Sequence, residues 1–285
     1  MTSLQRFFRT VPKQAAAALL LSPSLAIAND CPIQIGKTIS YDSPATTYAH
    51  FEEFDVMPRE FETTEEHRER LSAVLKDGTK PFIVRGKYDV DAAKYDADRQ
   101  TLRLFVYAWA NAGTGWDEVF PVQSHRGTIE YSRFGSQSYL GIGLGSEESV
   151  VGEYKGSNAY GASTTVYEVE RQVYSVFDQE VRNEDLWQFE GKGIYDTQHG
   201  PMKDTGYVDI PMPVDQARQY KDELKVVVAF LPKGPFAASG SRRWTPKINR
   251  PRDVTANYRV TFGMIQCVGI LSPDDRALKV IEPNK

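Results

Sequence analysis

TTVYEVERQVYSVFDQEV, residues 164–181, is the stretch whose reading decides the fold of this chain. As a helix it would show Val166, Val169, Val173 and Val176 as a stripe. As a strand it puts Tyr167, Val169, Val173 and Phe177 on one face, interrupted by Arg171. The two templates nearly tie. Enrichment in valine and tyrosine, and the lead-in Gly161-Ala162-Ser163-Thr164-Thr165, tip the segment towards strand.

The stretch just upstream, YLGIGLGSEESVVGEYKGSNAYG at 139–161, raises a second question. A phosphate-cradling glycine loop needs a strand before it and a helix after it, so that backbone N–H groups converge on the anion. Here Gly145 is followed by Ser146-Glu147-Glu148, two carboxylates where a phosphate would be repelled, and no lysine follows in P-loop spacing. No nucleotide is expected. Glycines at intervals of two leave one face of a strand bare, so that a ring or another backbone can lie against it.

Most of the remaining chain also has strand character. TLRLFVYAWA alternates Leu102, Leu104, Val106 and Ala108 against Phe105, Tyr107 and Trp109. GTIEYSRF, LKVVVAFL and NYRVTFGMIQCVGIL are β-branched and aromatic, and the turn Ser272–Asp275 before ALKVIEP predicts a closing hairpin. Pro32 to Ile35 is a further short strand candidate. Two helices are expected. One covers about 64–76, opened by a Thr63/Glu66 capping box; the other covers about 214–224, behind two prolines. The predicted fold class is therefore mainly β, an antiparallel β-sandwich-like architecture with two peripheral α-helices. One large domain or two packed β modules fit, with a possible boundary about 196–206.

Residues 1–28 have the layout of a secretory signal peptide. Arg6, Arg9 and Lys13 lead an apolar run, Ala15–Leu21, and Ala26-Ile27-Ala28 supplies a small-x-small cleavage pattern. The run is too short for a membrane-spanning helix, which takes roughly 20 residues. The expected product is exported and soluble, periplasmic or extracellular. It would carry 31 basic against 38 acidic residues, a net charge of −7. That balance argues against nucleic acid or an anionic membrane as a general partner. The two cysteines, Cys31 and Cys267, are expected to form a disulfide in an oxidising compartment.

Chemistry-bearing constellations are sparse. No G-x-S-x-G nucleophile elbow occurs, and no metal or cofactor is expected. His199, flanked by Asp196 and Asp204, is the best candidate for a carboxylate-oriented general base. His67 lies among Glu65, Glu66 and Glu69 without a histidine partner at helical spacing, and His50 and His125 have no partner pattern either. Asp89, Asp91, Asp96 and Asp98 lack the glycine and glutamate of an EF-hand and fit turn residues. The sharpest anomaly is SGSRRWTPKINRPRD, which packs Arg242, Arg243, Lys247, Arg250 and Arg252 around Trp244 in an acidic chain. Pro246 and Pro251 bar a helix and favour an extended path suited to gripping a polyanion or an acidic protein surface. Tyr154 and Tyr160 are candidates for a sugar-stacking platform.

The leading expectation is a non-catalytic binding or envelope-interaction protein using the 241–253 strip. Its rivals are an envelope-polymer hydrolase working through the His199 loop with Asp196, and an assembly protein pairing through a sheet edge.

Overall fold

A computed structural model describes residues 31–52, 60–76, 80–110, 120–124, 127–131, 139–157, 160–182, 187–195 and 203–283. Among the described residues three α-helices run over Pro44–Glu52 (α1), Thr64–Lys76 (α2) and Val214–Tyr220 (α3). The first six strands are β1 (Phe82–Gly86), β2 (Ala93–Asp96), β3 (Thr101–Phe105), β4 (Phe120–Ser124), β5 (Gly127–Tyr131) and β6 (Tyr139–Ser157). The others are β7 (Ser163–Arg182), β8 (Gly191–Tyr195), β9 (Lys203–Pro211), β10 (Lys225–Trp244), β11 (Arg252–Leu271) and β12 (Ala277–Ile281). The protein is mainly β, and its two sheets curl as half-barrels.

The spine is the antiparallel pair β10–β11, each strand 20 residues long. Near the body, β1 flanks β10 and β12 flanks β11; further out, β4 flanks β10 and β7 runs parallel to β11, with β6 outside it. The second sheet, ordered β2-β3-β9-β8, packs its Leu102, Leu104, Val208 and Ile210 against Val84, Val226 and Val228 of the first. Val227, Ala229 and Cys267 point the other way, where Ile33 and Ile39 of the N-terminal segment cover them. A strand buried on both faces has no use for polar alternation, which is why Val226-Val227-Val228-Ala229-Phe230 is apolar throughout.

The 164–181 segment is strand, as part of β7. Of the predicted face, Val169, Val173 and Phe177 are buried beside Val254, Tyr258 and Phe262 of β11, whereas Tyr167 is exposed and Val166 and Val176, on the opposite face, are buried too. The disulfide joins Cys31 to Cys267. The capping box forms, Thr63 N–H donating to Glu66 Oε2 at 2.8 Å and Glu66 N–H to Thr63 Oγ1 at 3.3 Å. The helix expected over 214–224 is α3, which ends at Tyr220, and a turn carries the chain to buried Leu224.

Three details differ from expectation. TLRLFVYAWA is strand only to Phe105; Val106–Ala108 form a 3₁₀ turn that lets Ala108 and Trp109 enter the core beside Leu102 and Leu104. Pro32–Ile35 is not a strand: the chain turns, Lys37 N–H donating to Gln34 O at 3.1 Å, and Ile33 packs onto Gly269. A third helix, α1, starts at Ser43-Pro44, where Ser43 Oγ accepts from Thr46 N–H at 3.1 Å. Of the boundary region at 196–206, residues 203–206 belong to β9 and 196–202 lie outside the described residues. Residues 1–28, the expected signal peptide, lie outside the described residues.

Candidate functional site

The parallel register of β7 and β11, Tyr167–Phe177 beside Arg252–Phe262, sets two hairpins side by side, and α1 packs on their inner part through Tyr48 against Tyr174 and Arg259. Eleven residues of strand reach about 35 Å. One face of this arm is apolar, with Val173, Ala256, Tyr258 and Val260 buried. Arg171 interrupts that face because its cross-strand partner is Glu148: Arg171 Nε donates to Glu148 Oε1 at 2.6 Å, and Arg252 donates to Oε2 at 2.5 Å. Two guanidiniums on one carboxylate, Arg252 foremost, hold the Glu148 carboxyl below the ordinary range.

The basic strip occupies the end of the β10–β11 hairpin. Arg243 grips Asp253 with two bonds of 2.8 and 2.5 Å, and Asp253 is 4 % exposed on its side chain. Tyr154 donates to the same carboxylate at 3.2 Å. The Arg243 bonds hold Asp253 below the usual aspartate range, while desolvation first, and then the carboxylate, push the Tyr154 phenol up. A depressed folded value means that the pair stabilises the fold above the unfolded aspartate value and is lost as pH falls through the folded one. The Asp253 carboxyl is therefore expected to titrate below about 3.9, followed by its NMR shift between about pH 2 and 7. A midpoint at or above that value would mean that the Arg243 pair does not form in solution.

The remaining strip residues face solvent. Arg242 lies 5.4 Å from the Trp244 ring centroid, and Trp244 itself packs on the apolar face. Lys247 and Arg250 close a tight turn by exchanging backbone bonds of 3.0 and 2.9 Å, leaving Ile248 at its tip, 59 % exposed. Among the described residues no carboxylate pairs with Arg242, Lys247 or Arg250. The prolines flank this turn, so the path is extended only as far as Trp244. Beside it, the β6–β7 turn presents Tyr160 at 94 % exposure, and a pocket of about 140 Å³ lies between the two turns. Ser157, Ser163, Thr164, Val166, Pro246, Lys247 and Ile248 help to line it. Nothing in the local sequence of either hairpin announces that the other lies alongside, so Ile248 and the three hydroxyl residues escaped the sequence reading.

The other candidates sit elsewhere. His199, Asp196 and His125 lie outside the described residues. His67 Nδ1 meets Glu62 at 3.3 Å and Arg70 at 3.2 Å, not the helix glutamates. His50 meets Phe51 edge-on and Phe82 at a tilt. Asp96 accepts from the backbone of Asp98 and Arg99, and Asp89 caps the short 3₁₀ turn at Val90; both are turn residues. Glycines that leave room for a ring are found in β8, where a Cβ on Gly191 would come within 2.5 Å of the Tyr207 hydroxyl. No protein-family model, curated protein or solved structure matches this chain.

Proposed function

We propose that this chain is an exported, non-catalytic interaction protein of the cell envelope, contacting an anionic partner through the 241–253 strip. One observation carries the reading. Residues 154–167 and 241–252, which form the two hairpin ends, hold six cations and no carboxylate in a chain of net charge −4. Arg243 and Arg252 are tied to Asp253 and Glu148; Arg242, Lys247 and Arg250 are left to a partner. The expected leader at 1–28 and the disulfide both suit an oxidising compartment.

The test replaces Arg242, Lys247 and Arg250 together with serine, sparing Arg243 because Asp253 is buried beneath it. Retention on immobilised polyphosphate at low salt is expected to fall roughly tenfold, at about 0.5 kcal/mol per exposed charge contact. Unchanged retention removes the strip from the account. The assembly reading has one observation in its favour: β6 forms the edge of its sheet. Glu147, Glu148, Glu153 and Lys155 line that edge, however, and charges of this kind keep an edge from pairing, so the strip reading ranks first.

A further inference from the structure

Of the nine exposed large apolar side chains among the described residues, six belong to the arm: Val150, Val151, Tyr154, Tyr160, Tyr167 and Ile248. A polyanion alone gives no reason for apolar groups beside the cations. A bilayer interface does, because it takes amphipathic rings and aliphatic tips at headgroup level and attracts lysine and arginine to anionic lipid. Resting on the strip reading above, we infer that the hairpin end is a docking surface for an anionic phospholipid bilayer, with one lipid phosphate seated in the pocket between the turns.

Ser157 and Ser163 offer hydroxyl donors for that phosphate and Lys247 the charge, while the Thr164 hydroxyl donates to Thr165 O at 3.5 Å and the rest of the wall is apolar, as suits the lipid beside the phosphate. Ile248 and Tyr160, on the two turns, enter the interface on either side. The chain's overall acidity sets the orientation. The arm's own carboxylates, Glu147, Glu148, Glu153, Glu168 and Glu170, lie back along β6 and β7, and the cationic end starts about 23 Å beyond Arg259, which packs on Tyr48 of α1. Physiological salt screens charge over about 8 Å, so the end meets an anionic surface without feeling the body's repulsion. Any other orientation brings carboxylates to the lipid.

The experiment uses the chain produced with its own leader in an exporting bacterial host, disulfide formed, sedimented with vesicles of phosphatidylglycerol and phosphatidylcholine or of phosphatidylcholine alone. Binding to the anionic vesicles only is expected, weakening as salt rises. Lys247→Gln with Arg250→Gln should lower it about thirtyfold, two headgroup-level charges being removed. Ile248→Ser should lower vesicle binding about tenfold and leave retention on soluble polyphosphate unchanged. These turn residues are exposed, and an unaltered thermal transition verifies that each variant folds. Equal binding to both vesicle types, or no effect of Ile248→Ser, overturns the inference. Retention on polyphosphate or on an acidic protein without vesicle binding overturns it too, but leaves the strip reading standing. Indifference to all of them ends both.

Discussion

Phe230→Ala is expected to destabilise the protein by about 3–5 kcal/mol, the cost of removing a large ring from a site that cannot collapse around the void. The ring is completely buried, and its centroid lies 6.0 Å from that of Phe82 and 6.2 Å from that of Phe51. It therefore joins α1, β1 and β10 in one aromatic cluster. The strand opposite is shaped to receive it. A Cβ on Gly263 would come within 2.3 Å of the Phe230 ring and 2.7 Å of the Leu231 carbonyl oxygen. A ring can shift; a carbonyl in a paired strand cannot do so cheaply. Denaturant titration monitored by circular dichroism supplies the measurement, with Phe61→Ala as control. Phe61 is 90 % exposed, so its loss should stay within about 0.5 kcal/mol. If Phe230→Ala behaves like Phe61→Ala, the aromatic cluster is not where the body is held together.

Replacing Cys31 and Cys267 together by serine should cost about 2–5 kcal/mol. The bridge closes a separation of 236 residues, for which the chain-entropy model gives roughly 5 kcal/mol. It also clamps a cover. Ile33 and Ile39 lie over Val227, Ala229 and Leu271, and the segment is otherwise fixed by a few backbone bonds: Gly36 N–H to Ala277 O at 2.7 Å, Ile39 N–H to Asp275 O at 2.9 Å and Ala277 N–H to Lys37 O at 2.9 Å. Without the bridge those bonds, the Tyr41 hydroxyl donating to Asp275 at 2.8 Å and the packing of Ile33 and Ile39 must hold the cover. The unfolding midpoint in urea should drop on mutation, and equally when the native protein is reduced. A midpoint that moves by neither route would show that the cover stays in place on packing alone.

The sequence made the mainly β class legible because its strands are locally consistent. Valine-rich runs, the turn Ser272–Asp275 and the Thr63 capping box each fix their own neighbourhood. What stayed hidden was long-range. In the 164–181 segment the helix and strand templates compete because the polar face of the arm carries Glu168, Glu170 and Gln172, which suit either state. Only β6 on one side and β11 on the other settle it. Val106–Ala108 failed for a related reason: alternation continues past Phe105, but the backbone turns inward to bury Trp109. The cationic strip was visible as composition. Its neighbour hairpin was not, since no sequence pattern encodes a parallel join between segments more than 80 residues apart.

That join also dictates an order of events. The edge of β7 that β11 will occupy must wait unpaired until residues 252–262 have been made and delivered. Pairing across such a separation is slow, because loop-closure entropy is spent before any contact rewards it. The combined hairpin end is thus among the last surfaces to come into being, and a chain truncated ahead of Arg252 would never possess it. On the binding proposed above, the gripping surface is complete only in the finished chain.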